Sequence, residues 1–500
     1  MAAMSVHGFS YWDLLLRNAA VNADLPVVSG AFGIWSHAQL KVRAEALAQQ
    51  LHAKGVANGD RIAVLASNQP QVLQLLGACS RIGATLVLLN TRAHAQEIGA
   101  LLEDAEPALV FAEASLVSLL ALAPAAVVCH ELDTLASMDL TEVSLPATQT
   151  LPPPKVNAPL VAIPTAAING RPRLALLSDS TLLHQALQLA YVWSLGPADR
   201  HLCLLPLFHM AGLGLTLAGQ LAGGASILMP RFDAEAAARE MAFSRVTYFA
   251  SFSPILEAIL DAAAHGHDLG SLRFVTGLEQ PKVVDRLHAS WPQAQFWSGY
   301  GQTETGGMVS LSPSRDLPGS AGRPLPLVQL RIEAADGRTA APGQSGDILV
   351  RGPCVFSGYW QRLAETVHAA RDGWHHTGDR GRIDERGFLW FEGRAPEKAL
   401  IKSGGENIYP AEVEQALEAH PAVMRAVVVG VPDKRWGEAV RAICELHPGQ
   451  TVSAEELIDF VGMRIARFKR PREVRFEPRL PRHEDGSLDR EAVAQAHRAD

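Results

Sequence analysis

The sequence predicts an α/β protein: a large N-terminal domain of mostly parallel sheets flanked by helices, followed by a small α+β module. Three observations carry this. Helix-like and strand-like segments alternate through the first part of the chain, as in βαβ units whose helices cover a parallel sheet. Past about residue 320 the texture becomes glycine-punctuated strands: GDILVRG, SGYW, GRIDERGFLWFEGR. And 500 residues exceed what one hydrophobic core usually serves, so at least two domains are expected.

The elements follow in order. Ser36 to Leu51 has amphipathic spacing and stops before Gly55, which predicts a helix. Arg61 to Leu65 is a short apolar strand, Gln71 to Arg81 a helix, Ala84 to Leu89 a strand. Glu97 to Asp104 is the next helix and Ala108 to Ala112 the next strand. Residues 114 to 128 are Ala/Leu-rich and read as surface helix, and the LPPP run at 151 to 154 as a rigid connection. GRIDERGFLWFEG is a hairpin by its turn chemistry, with Glu385, Arg386 and Gly387 between two strands. A helix (Ala411 to Ala419), two strands (Val423 to Val431, Ala439 to Leu446) and a helix (Ala454 to Arg464) complete the module. The boundary falls near Gly393 to Lys398, giving domains of residues 1–393 and 394–500.

Composition excludes several classes. The chain is 48% hydrophobic and 19% charged, as ordinary globular proteins are. A net charge of -8 argues against nucleic acid as the partner. Five dispersed cysteines without CxxC spacing read as reduced thiols, neither a disulfide frame nor a zinc site. His7, Trp12 and Asp13 stand where a signal peptide would need a basic start and an apolar run. Gly212 to Met229 carries no charge, but its five glycines and Gln220 suit a buried helix, a turn and a strand better than a membrane span. The expectation is a soluble, cytoplasmic protein.

The strongest chemical signal is SGYGQTETGG, Ser298 to Gly307. Such a loop brings backbone amides and hydroxyls against phosphate, Glu304 offers a carboxylate oxygen to magnesium, and Tyr300 an aromatic face to a nucleobase. Taken alone, it reads better as a polar turn between strands. It is joined by HHTGDRGRID, where the Asp379 carboxylate suits both hydroxyls of a ribose, by Arg394, and by IKSGGENIYPAEVE, Ile401 to Glu414. Upstream stand PLFHMAGLG, Pro206 to Gly214, and GYW, Gly358 to Trp360.

In this order and spacing these motifs resemble the adenylate-forming superfamily of acyl- and aryl-CoA synthetases, luciferases and peptide-synthetase adenylation domains. The likeness spans nearly the whole chain, from GVANGDRIAVL to LPRHEDGSLDREAV, and GGENIYPAEVE and VVGVPDKRWGEAV are most similar to the coenzyme A ligases. It implies a small β-barrel-like part in the large domain and a mobile C-terminal domain. It implies a two-step reaction as well: a carboxylic acid attacks the α-phosphate of ATP, and coenzyme A then displaces AMP. ATP, Mg2+ and coenzyme A are the implied co-substrates and cofactor, and the resemblance also allows a homodimer.

Carried over by motif, Tyr300, Gly301, Gln302, Thr303, Asp379 and Arg394 bind nucleotide, with Thr303 at the α-phosphate and Glu304 on magnesium. Thr165 and Gly170 belong to the phosphate loop. Gly404, Gly405 and Glu406 line the thiol channel, where glycine lets a chain pass close. Phe208, His209, Phe252, Gly277 and Leu278 form the acyl pocket, whose apolar lining, with Phe249, suits an aromatic or medium-chain fatty acid. His209 reads alternatively as a packed core histidine. Glu279 near this pocket either disfavours a second negative charge on the acid or faces solvent.

The sequence departs from the family pattern in three places. The phosphate loop reads IPTAAINGRPRLALLS, with Ala166, Ala167, Ile168 and Asn169 in place of most hydroxyl donors and Arg173 in place of lysine. Arginine keeps the charge, but a planar fork is no copy of a mobile ammonium. Ser487 follows Gly486 where the family carries a lysine, a loss that costs about 10²- to 10³-fold when one preorganised electrostatic donor is removed. Arg482, Arg490, Lys469, Lys398 and Lys402 are the cations that could replace it. The hinge is two residues longer than the common pattern, so the pivot maps onto Glu397 or Lys398. The alternatives are a non-catalytic or adenylation-deficient homologue that binds nucleotide or acyl-CoA, and an acyl transfer that starts from a preformed adenylate or ends on another acceptor.

Overall fold

The computed structural model describes residues 8–135, 151, 157–168, 171–394, 400–403, 406–433, 436–482 and 488–497, with the backbone alone for Ala166–Ile168, Arg171 and Asn407. Four sheets organise it. In the first, the parallel strands Pro26–Gly30, Ala225–Leu228, Arg200–Cys203, Tyr248–Phe252, Phe274–Leu278 and Gln295–Gln302 lie side by side. Antiparallel edges close both ends, Trp35–Ser36 at one and Gly307–Pro313 with Arg323–Pro324 at the other. In the second, Cys129–Glu131, Leu109–Ala112, Arg61–Leu65, Thr85–Leu88 and Pro159–Ile168 run parallel, and Arg171–Ser178 and Gly358–Tyr359 add antiparallel strands.

These strands are nearly unbroken apolar runs because helices bury both faces. Ser36 caps the His37–Ala53 helix through a capping box with Gln39, and Pro70 opens the Pro70–Ile82 helix. The stretch that resembles a membrane span is the Met210–Leu221 helix followed by the Ala225–Leu228 strand, and no described helix is long and apolar enough to cross a membrane.

The third sheet is antiparallel: Gln329–Glu333, Gly346–Arg351, Trp374–Ile383, Ala370–Arg371 and Leu389–Arg394. It contains the expected hairpin and stands where the resemblance implies the barrel-like part. The fourth sheet, Glu406–Ile408, Ile401–Ser403, Gly437–Leu446, Val423–Asp433 and Glu473–Phe476, has its own core of Val413, Leu417, Val428, Ala442, Leu457 and Val461. It is the α+β module of the C-terminal region. The Gly393–Lys398 boundary straddles residues 395–399, which with the LPPP run at 152–154 lie outside the described residues.

Two expectations need correction. Residues 114–128 are not an α-helix: Ala114–Leu120 is a 3₁₀ segment without a side-chain cap, followed by turns and the Cys129–Glu131 strand. Its leucines rest on the Ala95–Ala105 helix, and that contact overrides Ala/Leu propensity. Phe249 does not face the acyl pocket. Strand alternation turns it, fully buried, toward Leu202, Ile227 and Ile259 on the opposite side of the sheet from Tyr248 and Ala250.

Candidate active site

The core motif occupies the end of the Gln295–Gln302 strand, a single 3₁₀ turn Thr303–Thr305, and the returning Gly307–Pro313 strand. The hairpin is so tight that a Cβ on Gly301 would lie 2.0 Å from the Gly307 carbonyl oxygen. The Thr305 hydroxyl pins the turn by donating to the Gln302 carbonyl at 2.9 Å and accepting from the Gln302 amide at 2.9 Å. Thr303 and Glu304 therefore project from a braced corner.

Behind this corner the third sheet supplies Asp379, whose side chain is fully buried. It accepts from the Tyr300 hydroxyl at 2.6 Å and from Gln302 Nε2 at 3.1 Å, and its other oxygen lies 3.0 Å from Arg394 Nε. Gln302 Oε1 lies 3.0 Å from His375 Nε2. The Tyr300 ring stacks on Phe391, centroids 5.9 Å apart, and burial and then the Asp379 charge push its phenol up, so it stays a donor. Tyr300, Gln302, Asp379 and Arg394 thus form one network, a planar aromatic beside a buried carboxylate. That chemistry suits a nucleoside, with its base on a ring and its ribose diol on a carboxylate.

On the other flank Glu304, 8% exposed, accepts from the Tyr359 hydroxyl at 2.8 Å. The Arg173 guanidinium lies 4.1 Å from the centroid of the Tyr359 ring and pairs with Glu365 at 3.4 Å. Arg173 belongs to a hairpin: the phosphate-loop segment folds as two paired strands, with Thr165 opposite Arg173 and its hydroxyl 3.4 Å from the Arg173 carbonyl. Asn169 and Gly170 lie outside the described residues.

His209 is the N-cap residue of the Met210–Leu221 helix and packs edge-on against the buried Phe208. It is not a packed core histidine, because its Nε2 lies 3.5 Å from Glu406 of the C-terminal module. Arg92 at 2.8 Å and Asn90 at 3.4 Å hold the same carboxylate. Burial works against the Glu406 charge, but His209, Arg92 and Asn90 outweigh it and hold the carboxyl at about 2. Gly277 has a φ of +138°, and a Cβ there would sit 1.9 Å from the Ser251 carbonyl oxygen, so only glycine lets these two strands close up. Phe252 and Gly277 are half-buried and Leu278 is exposed. Glu279 is half-buried, accepting from the Ser251 hydroxyl at 2.6 Å and the Leu256 amide at 3.3 Å, and burial raises its carboxyl.

Three of the replacement cations have other partners. Arg482 lies 3.2 Å from Glu445, Arg490 grips Glu414 with both prongs, and Lys469 sits between Glu412 at 2.5 Å and Glu97. Lys402 is exposed within electrostatic range of Arg394 and Asp379. Glu397, Lys398, Gly404, Gly405, Gly486 and Ser487 lie outside the described residues. The sequence reading missed Tyr359, Glu365, Arg92, Asn90, Glu97 and Gln185. Only Tyr359 had a signal, in the GYW motif. Gln185 is 1% exposed, has no hydrogen-bond partner for either amide atom among the described residues, and lies against Gly307.

The model of the AMP-binding enzyme family matches residues 15–360, and that of the AMP-binding enzyme C-terminal domain matches residues 412–486. The chain belongs to the AMP-binding enzyme family. It is 36% identical over 477 residues to indoleacetate–CoA ligase of Aromatoleum aromaticum, with 92% of each chain covered. A double mutant of o-succinylbenzoate CoA synthetase from Bacillus subtilis, bound with its product analogue, superposes at a TM-score of 0.86 with 28% identity, covering 97% of this chain and 98% of the other. The same synthetase in complex with its acyl-adenylate intermediate gives 0.71 at 28% identity, covering 99% and 100%. Over nearly its full length the chain is thus more similar to the product-analogue complex than to the acyl-adenylate complex.

Proposed function

We propose that this AMP-binding enzyme is an acyl-CoA synthetase for an aromatic acid. It joins the acid to coenzyme A through an acyl adenylate, with ATP converted to AMP and pyrophosphate. The reaction class is that of an AMP-forming acid–thiol ligase. The observation that carries the reading is the adjacency, on one braced turn, of the Tyr300–Asp379–Arg394 nucleoside network and the Glu304 carboxylate. Asp379 takes the ribose, Arg394 the phosphate side, and Thr303 donates to the α-phosphate. The acid's carboxylate oxygen attacks that phosphorus, and pyrophosphate leaves with the bonding electrons. Thr303 and Glu304 offer hard oxygen donors beside the phosphates, a set that fits magnesium. A magnesium ion held there by Glu304 would neutralise charge on the leaving pyrophosphate.

For the second step the thiol must reach the acyl carbon near His209. A cleft of about 520 Å³ opens between the modules at Thr91, Arg92, His94, Met463 and Arg467. Arg92 holds Glu406, and Glu406 meets His209, so the cleft leads toward the acyl site. A neighbouring cleft of about 550 Å³ adds Phe468, Arg470 and Arg472. A ring between guanidinium groups suits the nucleotide end of coenzyme A. Relatives that act on indoleacetate and o-succinylbenzoate support an aromatic acid, as do Phe208 and Phe252.

The test is pyrophosphate release with a panel of aromatic and fatty acids, with and without coenzyme A. Acid-dependent release establishes the ligase and names its substrate class. Silence across the panel, with AMP still bound, turns the reading to an adenylation-deficient homologue, which the engagement of Arg482, Arg490 and Lys469 favours. Ser487→Lys separates the two: a rise of about 100-fold means an intact but handicapped site.

A further inference from the structure

Resting on that reading, we propose that Arg173 is a positioning residue: it clamps the Tyr359 ring so that the Tyr359 hydroxyl fixes the metal-holding carboxylate of Glu304, and it does not grip the pyrophosphate.

The register of the second sheet sets this up. Tyr359 stands opposite Ala175 on the antiparallel Arg171–Ser178 strand. Arg173 is two residues from Ala175, so it shares its face and is the diagonal neighbour of Tyr359. The guanidinium lies over the ring at 4.1 Å, and both side chains are buried, 7% and 5% exposed. Phe356 presses edge-on against Tyr359, centroids 4.8 Å apart, and its amide donates to the Glu304 carbonyl at 2.9 Å. The ring is held by Arg173 and Phe356, and among the described residues its hydroxyl donates to Glu304 Oε1 at 2.8 Å.

A planar guanidinium can stack on a ring while its edge pairs with a carboxylate, here Glu365 at 3.4 Å. An ammonium at this position offers a point charge and no plane. To serve the pyrophosphate, Arg173 would have to leave both Tyr359 and Glu365. The arginine that breaks the family pattern therefore fits a task that a lysine performs poorly. With Oε1 taken by the phenol, Glu304 would be left with Oε2 to offer a magnesium ion, held in orientation as partners behind a metal ligand commonly arrange.

The experiment is a titration of the full chain with Mn2+ in the presence of ATP, read by electron paramagnetic resonance, for wild type, Arg173→Lys, Arg173→Met, Tyr359→Phe and the Met/Phe double variant. ATP affinity in excess chelator and AMP affinity are measured beside it. We expect Mn2+ affinity to fall about tenfold in each single variant, lysine included, and no further in the double. Metal-free ATP and AMP affinities should stay within about twofold, which also reports that the variants fold. The proposal is overturned if Arg173→Lys binds Mn2+ normally, if the two losses multiply, or if Arg173→Met weakens metal-free ATP. A wild type that binds ATP but not Mn2+ overturns it too, while the ligase reading stands or falls separately on pyrophosphate release.

Discussion

Lys469→Met should slow the thioester step and spare adenylation. Lys469 is the only cation between Glu97 of the large domain and Glu412 of the C-terminal module among the described residues, and Glu97 also accepts the Ala466 amide at 3.1 Å. All three side chains are nearly buried, 12%, 9% and 6% exposed. Removing the cation leaves two carboxylates facing each other, a change that typically costs about 3–5 kcal/mol. Two escapes exist. One carboxyl can take a proton, which Glu412, raised to about 7 by its burial, does freely at pH 6 and at a cost of about 1–2 kcal/mol at pH 8. Or the module can swing away and hydrate both. At pH 8 that proton is the cheaper escape, so the arrangement that brings Glu406 to His209 should lose about 1–2 kcal/mol, or about tenfold in population, and less at pH 6. Single-turnover transfer from preformed acyl adenylate to coenzyme A should slow about tenfold at pH 8 and less at pH 6, with pyrophosphate release within about threefold. Adding Glu97→Gln should recover most of that loss. Equal slowing of both half-reactions, or no recovery in the double variant, would refute the reasoning.

Two carboxyls give the domain contact opposite pH limits. Glu406, held at about 2, favours contact above the ordinary carboxyl value and loses that favour as pH falls toward 2. Glu412 is raised to about 7, chiefly by burial, so its favour is complete at low pH and lost as pH rises through 7. Closure measured by small-angle scattering should peak at about pH 4–5, between the two values, and a steady rise to pH 9 would contradict the assignment. Asp379→Asn should weaken AMP binding about 30- to 100-fold by calorimetry, because it removes the charge from hydrogen bonds worth about 1.5–3 kcal/mol each; unchanged affinity would place the ribose elsewhere. Gln185→Leu should raise the melting temperature by about 2–4 °C, since a buried amide without partners costs about 1–3 kcal/mol, and a lowered value would show that the amide is paired in solution.

What the sequence reveals and hides follows from distance along the chain. The Arg61–Leu65 strand and the Ser36-capped helix are readable because periodicity and caps are local. Asp379, Arg394 and Glu304 are readable because each sits in a compact motif of unusual composition. The Ala114–Leu120 segment misleads because composition favours α-helix there while packing decides otherwise. Phe249 needed only the two-residue alternation of its strand to be placed correctly. Nothing local marks the contacts that join the modules: Glu97 and Lys469 are 372 residues apart, and Arg92 and Glu406 are 314 apart. The role of Tyr359 was hidden for the same reason, since its partners Arg173 and Glu304 are neighbours only after the second sheet forms.

The hairpin turn at Gln302–Gly307 has a consequence for redesign. Thr303 and Glu304 leave it on one side, and Met308, whose sulfur lies 3.9 Å from the Thr276 hydroxyl, continues from it toward Gly277. On the proposed function, phosphate chemistry and one wall of the acid pocket would thus share a few residues of backbone that tolerate no extra carbon at Gly301. Libraries that seek new acids by varying this turn would disturb catalysis and selectivity together. Diversity placed at Phe208, Phe252 or the first turn of the Met210–Leu221 helix would alter what enters while leaving the reacting corner untouched.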